Sequence, residues 1–326
     1  MSILGIGYGQ RLAATVTEDL VLSDAGAQSA MDVYSPSHAE TEQGRGRVVC
    51  GNRDCSSGWR TALKSRRRPI FERQWACGQG CMEAMTAAAL RREALGDDVV
   101  EGDGKHHHRV PLGLVLLAQG WITHPQLQHA LEAQRRAGGG KIGRWLIDEF
   151  GLKEDRVTRA LSVQWSCPVL PLEGFNPVAM ALMAPRVLVE RLGLVPVRIA
   201  GEGTLYLAFE DHVDASAAFA MERMSGLKVQ SGVADGTQLQ SARERLLASE
   251  FVEAKFERVP DVEAIGSKIS AALWKLQPKA SRMVRVHRFY WLRMWLESGA
   301  MRHGDGGFPA TKEDVADRIY ELEPVG

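Results

Sequence analysis

The sequence predicts an α+β protein with four parts in series. These are a small cysteine-bearing module, a tandem pair of helical hairpins, a small α/β sandwich and a helical C-terminal tail. Three observations predict it. A 24-residue phrase that begins at Pro111 returns at Lys141, at a constant offset of 30. Four of the five cysteines fall in two close pairs, Cys50/Cys55 and Cys77/Cys81. Between residues 168 and 248, strand-like and helix-like runs alternate around glycine-bearing turns. Helices set against a small sheet in this way make an α+β architecture.

Residues 1–46 are rich in Ala, Ser, Gly and Thr, with few large apolar side chains after Val33 and Tyr34. Such a composition buries too little surface to offset its ordering entropy, so this stretch is expected to be disordered. Segment 47–95 carries Cys50-x4-Cys55 and Cys77-x3-Cys81, with 21 residues between the pairs. In a cytoplasmic chain this pattern points to a four-thiolate zinc site more than to disulfides. The second pair leads into an alanine-rich helix from Met82 through Arg92, whose first amides favour thiolates. The arrangement is similar to treble-clef and zinc-ribbon modules. With four protein ligands the metal is structural; free thiols or a redox pair are the other reading. Between the pairs, Trp59, Phe71 and Trp75 interleave with Arg60, Lys64 and Arg66-Arg67-Arg68. This is either a nucleic-acid footprint or a solvated cationic face over core rings. Segment 96–108, with His106-His107-His108, reads as a solvated linker.

The repeat unit spans 109–166. Leu112 pairs with Ile142, Gly113 with Gly143, Leu116 with Leu146, Ile122 with Leu152, Leu127 with Val157, Ala130 with Ala160, and Gln134 with Gln164. Within each copy the apolar positions fall at helical spacing. Gly120 ends the first short helix, and Thr123 caps the next with Pro125 near its first turn. Each copy is a helical hairpin with one apolar face, so the two copies should pack together. Gly113 and Gly143 stand at helix starts, which suits either an anion on free amides or close helix packing. Gly138-Gly139-Gly140-Lys141 is followed by Ile142 where a phosphate-binding loop needs a hydroxyl residue, so it reads as a linker.

Doubled in tandem, this pattern resembles the N-terminal domain of type II secretion and type IV pilus assembly ATPases, from about Arg109 to about Ala248. The Ala184-Pro185 helix start and the Leu194-Val195-Pro196-Val197 hairpin start fit the same family. The resemblance implies cyclic di-GMP binding at the paired motifs. Leu112-Gly113 and Ile142-Gly143 would supply amides, Lys141 with Arg109 or Arg144 the cations, and Gln134 and Gln164 polar anchoring. The family's leading arginine is replaced by Pro111 in one copy and Lys141 in the other, and Phe150 stands where the second glycine is expected. Lysine lacks the planar fork with which arginine engages a guanine.

Segment 167–249 reads as a small α/β unit. Strands are expected at Val195–Ile199, Thr204–Phe209 and Leu227–Val233, with helices after Asp214 and from Thr237 to Ala248. Cys167 reads as a lone buried thiol. Segment 250–326 reads as helical: Val262–Leu276, then Met283–Leu296 with cations Arg282, Arg285, Arg288 and Arg293, then a short helix from Thr311.

The formal net charge is zero, with 45% apolar and 25% charged residues, so no global field points to nucleic acid or an anionic membrane. No apolar run reaches the length of a membrane span, and the N-terminus lacks a signal-peptide pattern, so a cytoplasmic location is expected. No catalytic constellation is present. The sequence therefore points to a non-enzymatic regulatory or adaptor protein that binds a cyclic dinucleotide and signals to a protein partner, of the secretion or pilus kind. Two other readings stand beside it: a ligand-free docking scaffold, and a zinc-dependent nucleic-acid binder.

Overall fold

The computed structural model describes residues 50–56, 69–102, 109–201, 203–296, 309 and 311–323, with 95–102 as main chain alone. The expected disorder of 1–46, the 59–68 cations and Trp59, and the three histidines at 106–108 lie outside the described residues. The span 48–326 forms one unit.

A short hairpin, β1 (Ile70–Phe71) and β2 (Gln74–Trp75), precedes helix α1 (Gln79–Gly102). The expected linker at 96–108 is thus helical as far as Gly102. Four helices follow, α2 (Leu112–Ala118), α3 (His124–Arg136), α4 (Ile142–Phe150) and α5 (Glu154–Trp165). The starts of α2 and α4, and of α3 and α5, are 30 residues apart. Partners across the packed helices are α3 with α4 and α2 with α5. Leu116, Leu146, Ala130 and Ala160 are fully buried at their centre, so the sequence-equivalent positions meet in a shared core. Gln126 Oε1 accepts from the Thr123 amide at 2.8 Å, which is the reciprocal half of a capping box.

Phe150 in place of glycine is absorbed by running α4 on through Phe150, which moves the left-handed glycine one position later. The left-handed position is filled by Gly120 (φ +66°) after α2 and by Gly151 (φ +63°) after α4. A backbone bond closes each end: Trp121 N to Leu116 O, a 6→1 bond, and Leu152 N to Leu146 O, one residue wider. Ile122 and Leu152 then return to the same core.

The α/β unit contains α6 (Pro177–Met180), α7 (Arg186–Leu192), β3 (Val195–Ala200), β4 (Thr204–Phe209), α8 (Ala215–Ser225), β5 (Lys228–Val233) and α9 (Gly236–Leu247). Its sheet order is β3-β4-β5, antiparallel then parallel, as the α8 crossover requires. Asp214 caps α8 by accepting from the Ala217 amide, and Gly226 (φ +72°) ends it.

The C-terminal region departs from expectation. Helix α10 (Val262–Leu276) forms as read, but it lies between β6 (Ala254–Val259) and the strands β7 (Ala280–Val286), β8 (Phe289–Trp295) and β9 (Val315–Leu322). The expected helices at 283–296 and from Thr311 are strands, in a sheet ordered β6-β9-β8-β7. Every residue of β8 is buried, because this sheet is covered on both faces. A strand buried on both sides loses its in–out alternation, and its Trp and Arg spacing imitates a helical stripe. Thr311 does build a capping box, with its amide donating to Asp314 Oδ2 at 2.8 Å. It caps one 3-10 turn, Lys312–Asp314, before β9 takes over.

One face of this sheet packs Met283, Tyr290, Leu292, Met294 and Tyr320 against α1 and α10. The other packs Val284, Val286, Trp291, Trp295 and Ile319 into the α/β core. The cysteine segment is therefore continuous with the C-terminal sheet: Glu72 N donates to Ser281 O at 2.9 Å, and Thr86 Oγ1 meets Ser270 Oγ at 2.9 Å. The four tail arginines have separate partners instead of forming a cationic face. Arg282 caps the end of α8 at the Arg223 and Met224 carbonyls, and Arg285 Nε donates to the His287 carbonyl. Arg288 pairs with Glu321. Buried Arg293 clasps buried Asp317 at 2.9 and 2.7 Å and donates to the Leu182 and Met183 carbonyls.

Candidate functional site

Two places gather the chemistry: the paired helix starts and the cysteine cluster. At the helix starts, Gly113 and Gly143 are buried contact points. A Cβ on Gly113 would stand 2.7 Å from Leu127 Cδ1, and one on Gly143 would stand 2.8 Å from Val157 Cγ1. Leu127 and Val157 are themselves the repeat-equivalent pair. Leu112 and Ile142 pack their side chains on the helical core. The amides in the first turn of each helix have no intrahelical acceptor, which follows from helix geometry.

The two glutamines perform matching tasks. Gln134 Nε2 donates to the Gly140 carbonyl, and Gln164 Nε2 donates to the Val110 carbonyl at 2.8 Å. Residues 110 and 140 are again equivalent, so each hairpin's last helix holds the start of the other hairpin. The sequence marks both glutamines but not this exchange.

Lys141 points at the α/β unit. Its Nζ lies 2.7 Å from Glu210 Oε1 and 3.2 Å from Asp211 Oδ2, in the loop between β4 and α8. Burial pulls the Lys141 ammonium down, yet the bond to Glu210 and the Asp211 charge outweigh it and raise its pKa. For Asp211, burial raises the pKa, but the His212 and Lys141 bonds win and hold it below the ordinary carboxylate value. The Arg109 guanidinium lies over Trp165, with Cζ 3.6 Å from the ring centroid. Trp165 Nε1 donates to the Asp211 carbonyl at 2.9 Å. One residue, Asp211, thus touches Lys141 directly and Arg109 through Trp165. Arg144 is not drawn into this group by its ion pair, which is with Asp148 one turn along its own helix at 2.9 Å. Glu210, Asp211, His212 and Trp165 were not singled out from sequence. Glu210 lies 69 residues from Lys141 and Trp165 lies 46 from Asp211, and no local pattern announces such contacts.

The cysteine cluster comes together as its spacing implies. The sulfurs of Cys50, Cys55, Cys77 and Cys81 all lie within 4.8 Å of one another. Cys55 Sγ and Cys81 Sγ are each 3.5 Å from Cys77 Sγ. A tetrahedron of ~2.3 Å metal–sulfur bonds has sulfur–sulfur edges of ~3.8 Å, whereas a disulfide needs ~2.05 Å. Cys50 and Cys55 come from a loop bridged to Trp75, Cys77 follows the hairpin, and Cys81 sits in the first turn of α1. The Cys77 amide donates to Cys50 Sγ and the Asn52 amide group to Cys81 Sγ, both at 3.4 Å, as outer-shell donors do around bound thiolates. The Asn52 bond lowers the Cys81 pKa, but burial and the three neighbouring thiols push it up to about 12. Four thiols this close carry negative charge together when a cation compensates it, and this donor set fits a soft tetrahedral metal. Phe71 and Trp75 are buried in the core, which fits the core-ring reading of that stretch and not base stacking. Cys167 is partly buried beside Val233, and burial raises its thiol pKa.

No helix among the described residues is long and apolar enough to cross a membrane. No family model matches the chain. The chain is 30% identical over 139 residues to the type IV pilus assembly ATPase PilB of Myxococcus xanthus, covering 42% of this chain and 24% of that protein. It is 28% identical over 121 residues to PilB of Thermus thermophilus, covering 36% of this chain and 14% of the relative. The chain thus spans about a quarter or less of the curated relatives' length. Among solved structures, MshE with c-di-GMP is 28% identical, with a TM-score of 0.33 over 42% of this chain and 99% of that one. The N-terminal domain of XpsE is 18% identical, with a TM-score of 0.30 over 41% and 92%. Over about 40% of its length, this chain resembles the N-terminal domain of type II secretion and type IV pilus assembly ATPases.

Proposed function

We propose that this chain is a non-enzymatic regulatory or adaptor protein whose paired helical hairpins bind cyclic di-GMP and whose bound state is read by a protein partner of a secretion or pilus system, in the cytoplasm. The observation that supports it is the exchange between hairpins: Gln134 and Gln164 fix the two helix starts, and Lys141 and Arg109 meet around Asp211. Amides of Leu112, Gly113, Ile142 and Gly143 and these two cations are the groups a cyclic diphosphate would use, with Arg144 at the rim. Zinc held by Cys50, Cys55, Cys77 and Cys81 has a structural role, because four protein thiolates leave no open position. The segments 47–95, 109–166, 167–249 and 250–326 are its proposed functional divisions.

A ligand-free docking scaffold is the second reading. Pro111 lacks a cation, and Val110 before α2, Leu114 on α2 and Val163 on α5 are 54%, 49% and 58% exposed. A nucleic-acid role has less support, since Phe71 and Trp75 are core residues. Calorimetric titration with cyclic di-GMP, beside Lys141→Ala and Gln164→Ala, tests the first reading. Saturable binding that each substitution weakens roughly tenfold supports it, since bonds to charged groups contribute about that much. No heat of binding at millimolar ligand refutes it and favours the scaffold.

A further inference from the structure

We infer that the Glu210–Asp211 pair is a built-in competitor that closes the paired-helix site from within, holding Lys141 until an anionic ligand displaces it. The inference rests on the ligand-binding reading of that site and adds its regulation. Lys141 faces two carboxylates, 2.7 and 3.2 Å away, so the local charge around it is negative and repels a phosphodiester. Lys141 and Glu210 are 53% and 55% exposed, so solvent and ligand reach the pair and the contact is exchangeable.

The loop that carries the acids belongs to the α/β unit, 69 residues from Lys141. Its main chain is anchored separately, through Trp165 Nε1 to the Asp211 carbonyl. Opening therefore takes rotation of two acidic side chains while the backbone stays in place. The second candidate cation is held at the same pole, with Arg109 stacked on Trp165. His212 adds to the closed arrangement by bonding Asp211 Oδ1 at 2.8 Å. Both cations that a cyclic diphosphate would engage are satisfied internally, and the acids are the part of this arrangement that carries opposing charge.

The test compares cyclic di-GMP affinity of the full chain with that of Glu210→Gln/Asp211→Asn and of the same pair combined with Lys141→Ala. The pairs are exposed and individually weak, so the double variant is expected to bind roughly three- to tenfold tighter. Adding Lys141→Ala should abolish that gain. A ligand-free readout runs beside it: acetylation of the Lys141 amine, followed by mass spectrometry, should accelerate in the double variant. If the unaltered chain binds and the double variant binds no tighter, the competitor idea falls while the site stands. If neither binds at millimolar ligand, both fall. Unchanged thermal unfolding of the variants excludes misfolding as the cause.

Discussion

Alanine at the two helix-start glycines separates packing from ligand approach. At Gly113 the new methyl would meet Leu127 Cδ1 at 2.7 Å and Cδ2 at 3.1 Å, the far end of a flexible side chain. At Gly143 it would meet Val157 Cγ1 at 2.8 Å and Leu112 Cδ2 at 3.5 Å. Val157 cannot swing away, because its methyls branch at Cβ and helical χ1 is held to one rotamer. Overpacking of this kind costs ~1–3 kcal/mol, while replacing a helical glycine by alanine returns up to ~1 kcal/mol. Gly143→Ala is therefore expected to lose about 1–2 kcal/mol net. For Gly113→Ala, a rotamer shift of Leu127 costs ~0.5–1.5 kcal/mol, so the net change is near zero. Urea unfolding followed by far-ultraviolet circular dichroism measures both, and Gly143→Ala/Val157→Ala should recover most of the loss. Equal stabilities for the two single variants would refute the packing argument. Gly143→Ala that keeps full stability but loses cyclic di-GMP binding would show that the glycine serves the ligand.

Three further outcomes are expected. Asp317→Asn strands buried Arg293 without its charge partner and should cost about 3–5 kcal/mol, whereas Arg293→Met/Asp317→Leu should recover much of it; a loss under ~1 kcal/mol in the single variant would sink this account. Purified protein should carry about one zinc per chain, and Cys81→Ser or a strong chelator should remove it and lower the unfolding midpoint by ~5 °C or more, because α1 shares its core with the C-terminal sheet; metal-free protein of unchanged midpoint would count against the site. Burial raises the pKa of Asp214, but the His287 bond and the Ala217 amide outweigh it and hold it low. Its contribution to stability is present above the ordinary carboxylate value of ~3.9 and lost as pH falls through the lowered folded value, so the stability gap to Asp214→Asn should shrink below pH ~4 and a gap constant with pH would contradict the assignment.

Local chemistry was legible because it repeats or caps. The offset of 30 identified α2 to α5, since equivalent positions such as Leu116 and Leu146 bury at the same place in the core. Asp214 and Gly226 marked both ends of α8 through a side-chain cap and a left-handed residue. Cysteine spacing brought four sulfurs within reach of one ion. The C-terminal strands were not legible, because β8 is buried on both sides and so shows no in–out alternation, and its tight turn to β7 places His287 (φ +50°), not a glycine, in the left-handed position. Strand β9 pairs with β6, about sixty residues earlier, and a window of local sequence carries no trace of that partner.

The sequence alone determined the paired hairpins, the α/β strands and the cysteine cluster, since each is specified by periodicity, capping or spacing within a few dozen residues. The tertiary structure alone decided what each candidate cation touches. Lys141 and Arg109 meet acids and an indole delivered by the α/β unit and α5, and Arg293 is buried by a strand that follows it. A charge acquires its role from the partners that folding brings within a few ångströms, and those partners are set by the packing of the whole chain.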